Sequence, residues 1–332
     1  MKVILVTPNF HQPRGNTVTV QRIANGLEGI GIETDIISIT NDTSITHLPP
    51  NDIVHGFHAY RFYLFMQQLK EKPKSYIITL TGTDLNHNLF DEDTRSDVLA
   101  CLRGAEAIHV FNKEAKDIVI NESPEVSDKI FIIAQGAEKF SENNLIQEKE
   151  ANTFLFVLPA GIRKVKNIPF AIQVIKKLQK DNENVRLWLV GPIIEGIEGD
   201  LVKDLVQANK HWLSYLGQIP HDQMGSIYEQ ADCVLNTSHT EGQPSAILEA
   251  MAHELPVIVS NNQGNRSIVT NNETGFIYKT TDQFLDYASK IMNNNELRQT
   301  IGNKAKKFVE AHHSSSYEAN RFMDIYKIAV SR

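Results

Sequence analysis

Ala231-Asp-Cys-Val-Leu-Asn236, Glu241-Gly-Gln-Pro-Ser-Ala-Ile-Leu-Glu249 and Leu255-Pro-Val-Ile-Val-Ser260 read, in that order, as strand, turn with helix start, and strand. The two apolar runs are short and continuous, as expected for strands buried on both faces of a parallel sheet. Pro244 opens the helix between them, because proline suits the first helical position and has no N–H to lose there. The amides of Ser245, Ala246 and Ile247 then point outward unpaired and offer an anion site. Glu249 lies four residues past Ser245 and shares its helix face, while Glu241 sits back in the loop. Taken alone, the two glutamates also fit an ordinary solvated face. Beside an anion, however, carboxylates make chemical sense when they bind hydroxyls, which points to a sugar on one side and a ribose on the other.

The same alternation runs through the whole chain. Apolar runs at Val3–Val6, Ile36–Ile39, Ile53–Val54, Tyr76–Leu80, Ala107–Phe111 and Ile130–Ile133 are separated by helical stretches. In the first of these, Val20, Ala24 and Leu27 keep one-face spacing until Gly29 and Gly31 stop it. A polar stretch without period, Gly136 to Glu150, reads as a linker. Strand candidates then resume at Phe154–Leu158, Val185–Val190, Trp212–Leu216, Cys233–Leu235, Val257–Val259 and Phe276–Tyr278. Leu297, Ile301, Ala305 and Phe308 form one helical stripe, and a last helix is expected over Tyr317–Val330. The expectation is an α/β chain of two doubly wound Rossmann-like domains, split near 145/146, with the carboxyl ends of both sheets at a shared cleft.

At 332 residues, the chain suits two cores better than one. With 41% hydrophobic and 22% charged residues, it has a globular composition. A net charge of −7 argues against nucleic acid or anionic membrane as a general partner. The cluster Lys70-Glu-Lys-Pro-Lys74 reads as an exposed loop, the one place where peripheral membrane contact has any footing. Cys101 and Cys233 lie in different halves inside apolar runs, as buried free thiols of a reducing compartment do. Met1-Lys-Val-Ile-Leu-Val6 reads as a strand stopped by Thr7-Pro8 rather than as a leader. No stretch reaches the ~18 apolar residues of a membrane span, so a cytoplasmic location is expected.

Four segments carry candidate chemistry. After the first strand, Thr7-Pro-Asn-Phe-His-Gln-Pro-Arg-Gly15 leads into a helix at Asn16 or Thr17, where Gly15 permits close backbone approach. It is not G-x-G-x-x-G, so a dinucleotide fingerprint is absent. After the first strand of the second half, Gly161-Ile-Arg-Lys-Val-Lys-Asn-Ile-Pro169 places cations at a strand's carboxyl end. There Arg163 suits a forked grip on phosphate and Lys166 acts as a point charge. A basic loop capping a helix fits the same residues. Val190-Gly-Pro192 and Gly217-Gln-Ile-Pro220 are glycine turns at strand ends, suited to setting Gly191 and Ile219 against a flat base. The fourth segment is the Glu241–Glu249 run itself. With Arg163, Lys166 and the helix start, it has cations and amides enough for a diphosphate without a metal. Asp91-Glu-Asp93 reads as a solvated polar stretch, and no zinc spacing, Walker or Gly-x-Ser-x-Gly sequence occurs.

The chain resembles the group 1 glycosyltransferases, retaining enzymes of the two-domain GT-B fold whose fingerprint is Glu-x7-Glu. The likeness rests on Glu241–Glu249, Glu249-Ala-Met-Ala252, Leu255-Pro-Val-Ile258 and Asn272-Glu-Thr-Gly275. A narrower likeness is to the glycosyltransferase 1 domain-containing proteins, through Arg14-Gly-Asn-Thr-Val-Thr19, Gly82-Thr-Asp84, Arg163-Lys-Val-Lys166 and Gly242–Glu249. Bacterial selenosugar synthases are similar at Thr81-Gly-Thr-Asp84.

The resemblance implies an acceptor domain of residues 1–145 joined by a returning helix at 314–332, and a donor domain of residues 146–313. It also implies transfer of a sugar from a nucleoside diphosphate sugar, UDP-linked by expectation, to an unidentified acceptor, with no cofactor and no metal. Arg163 and Lys166 would stabilise the departing diphosphate. Glu241 would hold the transferred sugar and Glu249 the ribose. Gly15, Asn16, Gly161, Gly191, Ile219, Gly242, Gln243, Pro244, Ser245 and Ala246 would complete the donor site.

Two departures stand out. Arg163 and Lys166 are three residues apart where many members have five, and Thr81 stands where many carry a histidine that contacts the sugar. Thr81, Asp84 and His87 are therefore the acceptor-side candidates. Rival expectations are a catalytically weak sugar-nucleotide binder, and an epimerase or phosphorylase on the same fold.

Overall fold

The computed structural model describes residues 1–11, 15–137, 140 and 146–331. The chain divides into one unit of Met1–Gly136 with His313–Arg332 and a second of Ala137–His312.

In the first unit the elements are β1 (Lys2–Thr7), α1 (Gly15–Gly29), β2 (Glu33–Ser38), β3 (Ile53–Phe57), α2 (Ala59–Gln68), β4 (Tyr76–Thr79), α3 (Arg95–Gly104), β5 (Ala107–Val110), α4 (Lys113–Glu122) and β6 (Ile130–Ile132). The second unit holds β7 (Phe154–Pro159), α5 (Ile168–Asp181), β8 (Val185–Val190), α6 (Gly196–Ala208), β9 (Leu213–Tyr215), α7 (Met224–Tyr228), β10 (Cys233–Asn236), α8 (Ser245–Ala252), β11 (Val257–Ser260), α9 (Gln263–Arg266), β12 (Phe276–Tyr278), α10 (Thr281–Asn293) and α11 (Asn295–His312). The last helix, α12 (Ser315–Ser331), returns to the first unit. Each of the twelve apolar runs singled out in the sequence is a strand.

Both sheets are parallel and six-stranded, in the orders β2-β1-β3-β4-β5-β6 and β12-β11-β10-β7-β8-β9. Val3 to Val6 are fully buried because α1 and α12 cover one face of β1 and α2 the other side of the sheet. The expected stripe of α1, Val20, Ala24 and Leu27, is buried with them. The helix ends at Gly29, and Gly31 turns the chain at φ 81°, a conformation that favours glycine. No helix among the described residues is long and apolar enough to cross a membrane. Cys101 and Cys233 are buried and unbridged.

The linker reading put the boundary at 145/146, whereas the second unit already begins at Ala137. The physical reason is Phe140. Its ring lies against Tyr228 and His253, and its N–H donates to His253 Nε2 at 3.1 Å. Residues 138–139 and 141–145 of that stretch lie outside the described residues.

Docking of α12 on the first unit is partly polar. Arg22 grips Glu318 with two bonds, Nε to Oε2 at 2.8 Å and Nη2 to Oε1 at 2.9 Å, and Glu318 is only 1% exposed. Beneath it runs a buried chain of hydrogen bonds whose direction follows from its last member. His109 Nε2 lies 2.9 Å from the Ile133 carbonyl, which can only accept, so Nε2 carries the proton. Nδ1 of His109 then accepts from the Thr79 hydroxyl at 2.9 Å. That hydroxyl accepts from His55 Nε2 at 2.6 Å, and His55 Nδ1 accepts from the Tyr326 hydroxyl of α12 at 2.8 Å. Both imidazoles are therefore neutral. Burial, with the neighbouring His109 as a second cause, lowers the pKa of His55 well below its usual range, and burial pushes His109 down to about 4.

Candidate active site

In the second sheet β7 is central: β8 and β9 continue on one side, β10, β11 and β12 on the other. Between β7 and β10 the winding reverses: α5, after β7, packs on one face of the sheet and α8, after β10, on the other, and the carboxyl ends of two such strands are the place where these sheets bind ligands. The loop after β7 carries Arg163 and Lys166; the loop after β10 carries Glu241. Two bonds join these loops: the His239 N–H donates to the Val165 carbonyl at 2.9 Å and the Thr237 hydroxyl to that of Lys166 at 2.9 Å.

Lys166 Nζ meets Glu241 Oε1 at 2.5 Å, with both side chains largely out of solvent. The same oxygen accepts from the Ser238 hydroxyl at 2.6 Å and from Asn236 Nδ2 at 3.1 Å. Burial pushes the Glu241 carboxyl up, but the charge of Lys166 and the bonds from Lys166, Ser238 and Asn236 outweigh it and hold it below its ordinary value. Glu241 is therefore an ionised carboxylate with one oxygen saturated. Among the described residues no hydrogen bond reaches its Oε2. Arg163 adds a second cation, and its buried Nε has no hydrogen-bond partner, an unmet donor of the kind a ligand satisfies.

Helix α8 begins one residue later than expected. Pro244 is its N-cap, at φ −77° and ψ 106°, and Ser245 its first residue. Ile247 was expected to offer a free amide; it donates instead to the Pro244 carbonyl at 3.2 Å. The amides of Ser245 and Ala246 form the open end. Glu249, on the next turn, is 6% exposed and bonded at both oxygens: Tyr228 OH donates to Oε2 and His221 Nε2 to Oε1, each at 2.9 Å. Gly242 follows Glu241 in the loop, and Gln243 Nε2 donates to Ser267 Oγ at 3.3 Å.

The remaining predicted donor residues of this unit stand at strand ends. Gly191, after β8, adopts φ 145° and leaves no room for a side chain: a Cβ there would lie 2.2 Å from the Ala160 oxygen. Its carbonyl accepts from Tyr215 OH at 2.8 Å, and its amide donates to the Gly217 carbonyl at 2.7 Å. Gly161 abuts the Ile194 side chain, and Ile219 packs partly buried on the core of this unit.

Gly15 and Asn16 open α1 in the first unit, while Gln12, Pro13 and Arg14 of that loop lie outside the described residues. The acceptor-side candidates are also in the first unit, and one of them changes character. Asp84 is fully buried, its Oδ1 taken by the amide and hydroxyl of Thr81 (2.6 and 2.7 Å) and its Oδ2 by the Ala59 amide (2.7 Å). It clamps the β4 loop to the start of α2 instead of presenting a carboxylate to a ligand. Thr81 is the other half of that clamp, and His87 is exposed one turn further on. Among the described residues no three His, Cys, Asp or Glu side chains converge as a metal site.

Sequence reasoning missed the residues that support the two glutamates: Asn236 and Ser238 for Glu241, Tyr228 and His221 for Glu249, and Gly264 behind the loop. A Cβ on Gly264 would lie 2.6 Å from Glu241 Cβ and 2.8 Å from the Glu241 and Gly242 carbonyl oxygens. Asn236 and Ser238 were findable as polar residues closing an apolar run. Nothing local marks Tyr228 or Gly264.

The family model described as "Glycosyl transferases group 1" matches residues 137–308. A Xenopus tropicalis relative, "Glycosyltransferase 1 domain-containing protein 1", is 25% identical over 324 residues, covering 94% of this chain and 93% of its own. Among solved structures, the sucrose-phosphate synthase of Thermosynechococcus elongatus superposes with a TM-score of 0.80 at 16% identity, over 98% of each chain. Anabaena HepE, solved in complex with UDP-glucose, superposes with a TM-score of 0.77 at 14% identity, again over 98% of each chain. These likenesses give the fold as that of the GT-B glycosyltransferases. With more than half of its length matched by the family model, the chain belongs to the glycosyl transferases of group 1.

Proposed function

We propose that the protein transfers a hexosyl or N-acetylhexosaminyl group from a UDP-sugar to an acceptor hydroxyl or other nucleophile, with retention at the anomeric carbon and without a metal. The observation that carries this reading is the Lys166–Glu241 pair at the crossover between β7 and β10, with Arg163 and the start of α8 in the same unit.

In the reaction the bond from the anomeric carbon to the β-phosphate oxygen breaks and a bond to the acceptor atom forms; the acceptor proton leaves with the diphosphate. Negative charge grows on that phosphate, so fixed donors aimed at it lower the barrier most. Lys166, Arg163 and the Ser245 and Ala246 amides supply that charge stabilisation, the task a divalent cation performs elsewhere. Lys166 exchanges part of its bond to Glu241 for the phosphate, and Glu241 keeps the lysine placed beforehand. A glutamate already bonded to Lys166, Ser238 and Asn236 is a poor nucleophile and a poor base. It suits accepting sugar hydroxyls at Oε2 instead. Glu249 would bind the ribose through the lone pairs that His221 and Tyr228 leave unused. HepE, whose solved complexes hold UDP and UDP-glucose, shares the fold, which supports UDP as the first nucleotide to try.

The test is hydrolysis or transfer with UDP-glucose and UDP-N-acetylglucosamine in the presence of EDTA, with the first-formed anomer read by proton NMR. The α anomer, formed at a rate EDTA leaves unchanged, is the expected result. A β product overturns retention, and loss of turnover in EDTA overturns metal independence. Tight nucleotide-sugar binding with no turnover on any donor leaves the binding-protein alternative standing instead.

A further inference from the structure

The carboxylate of Glu249 is held from two sides by very different residues. Tyr228 is buried, and burial together with the adjacent Glu249 charge raises its pKa well above the usual phenol range, so its hydroxyl keeps its proton and donates to Oε2 at 2.9 Å, the nearer acceptor, with the Ala246 carbonyl at 3.3 Å. His221 reaches Oε1 from the solvent side, with 46% of its side chain exposed. Its ring is not loose: Phe140 packs edge-on against it at 4.9 Å, and Phe140 stacks in turn on Tyr228. His221 also directly follows Gly217-Gln-Ile-Pro220, the turn at the end of β9. An ionised carboxylate has about four acceptor positions. Tyr228 and His221 occupy one on each oxygen and thereby fix the plane of the group and the direction of the two that remain.

We infer that His221 is a positioning residue: it orients Glu249 so that the carboxylate receives both hydroxyls of a ribose, and so sets the preference for ribonucleotides over 2′-deoxyribonucleotides. This rests on Glu249 being the ribose-binding group of the proposed donor site. A carboxylate pinned only by Tyr228 can rotate about that bond. It then still accepts one hydroxyl but no longer distinguishes a vicinal diol from a single one.

The measurement is calorimetric affinity for the tightest-binding of UDP, ADP and GDP and for its 2′-deoxy counterpart. The wild type is expected to prefer the ribonucleotide by about 10- to 100-fold, the worth of a hydrogen bond to a charged group. His221→Ala should bring the two affinities within about threefold, whereas His221→Gln, which retains a donor N–H at similar reach, keeps most of the preference. Glu249→Ala serves as the control. If it retains the wild-type preference, the ribose reading of Glu249 falls. If Glu249→Ala abolishes the preference but His221→Ala does not, the role of His221 alone falls. A His221→Ala protein that weakens both nucleotides equally, with their ratio unchanged, has lost only packing, which also overturns the inference. Should His221→Ala fail to fold, a fully lost preference in folded His221→Gln decides against a donor role just as firmly.

Discussion

Acid should destabilise the first unit through the buried His55–Thr79–His109 chain, and most of the effect can be worked out for His109. Its folded pKa is about 4 against 6.5 for an ordinary histidine, so the unfolded chain binds the proton more readily. The stability contributed by keeping it neutral is present in full above pH 6.5 and is lost as pH falls from 6.5 toward 4. Each unit of that interval costs about 1.4 kcal/mol, so going from pH 7 to pH 4.5 removes roughly 2–3 kcal/mol by this one residue. His55, whose pKa is lowered in the same direction, adds to the loss. Protonated His109 would present a donor at Nδ1 to a Thr79 hydroxyl already donating to it, which reverses the chain that ends on Tyr326.

The assay is urea unfolding at pH 7 and 4.5 for the wild type and His109→Gln, followed by circular dichroism. Trp188 and Trp212, the two tryptophans of the chain, lie in the second unit, so their fluorescence reports that unit separately. The variant should be less stable at pH 7 but lose roughly 2–3 kcal/mol less on acidification, with the tryptophan transition alike in both proteins. Parallel losses in wild type and variant would refute the neutral-histidine chain.

Other perturbations follow from single contacts. Lys166→Ala should lower turnover about 10²- to 10³-fold, the usual loss on removing one donor to a developing oxyanion; near-normal steady-state rates would remove Lys166 from the reaction. Gly264→Ala forces a Cβ into Glu241 and the Gly242 carbonyl. It should cost about 1–3 kcal/mol of stability by overpacking and lower turnover about 10²-fold by moving Glu241, checked by melting and donor hydrolysis. Arg22→Ala leaves Glu318 buried without its partner. A loss of about 3–5 kcal/mol is expected in the unfolding of the first unit, and a loss under about 1 kcal/mol would mean that the carboxylate escapes to water.

The order of strands and helices was legible because short, largely apolar runs of two to six residues, alternating with helical stretches, have few ways to bury themselves. Parallel sheets covered on both faces are the one arrangement that accommodates twelve of them. Arg163, Lys166 and Glu241 stood out as well, since charged residues in loops that follow buried strands are costly unless something uses them, and Glu249 stood out by sharing a helix face with Ser245. Spacing could not show that Lys166 and Glu241, 75 residues apart, share one hydrogen bond. That pairing exists because β7 and β10 are neighbours in the sheet, and strand order is a property of the whole fold. Asp84 is the converse case: a carboxylate after a strand looks free in sequence, yet the start of α2 and the Thr81 turn fold onto it, bond both oxygens and bury it completely. His221 and Tyr228 carry no local mark, because what they do depends on the orientation of a glutamate 21 to 28 residues away. Periodicity and residue chemistry thus determined the architecture and named the charged groups. Which groups face one another, and which are already spent on holding the structure together, was decided by tertiary packing, since hydrogen bonds saturate at distances that only three-dimensional adjacency sets.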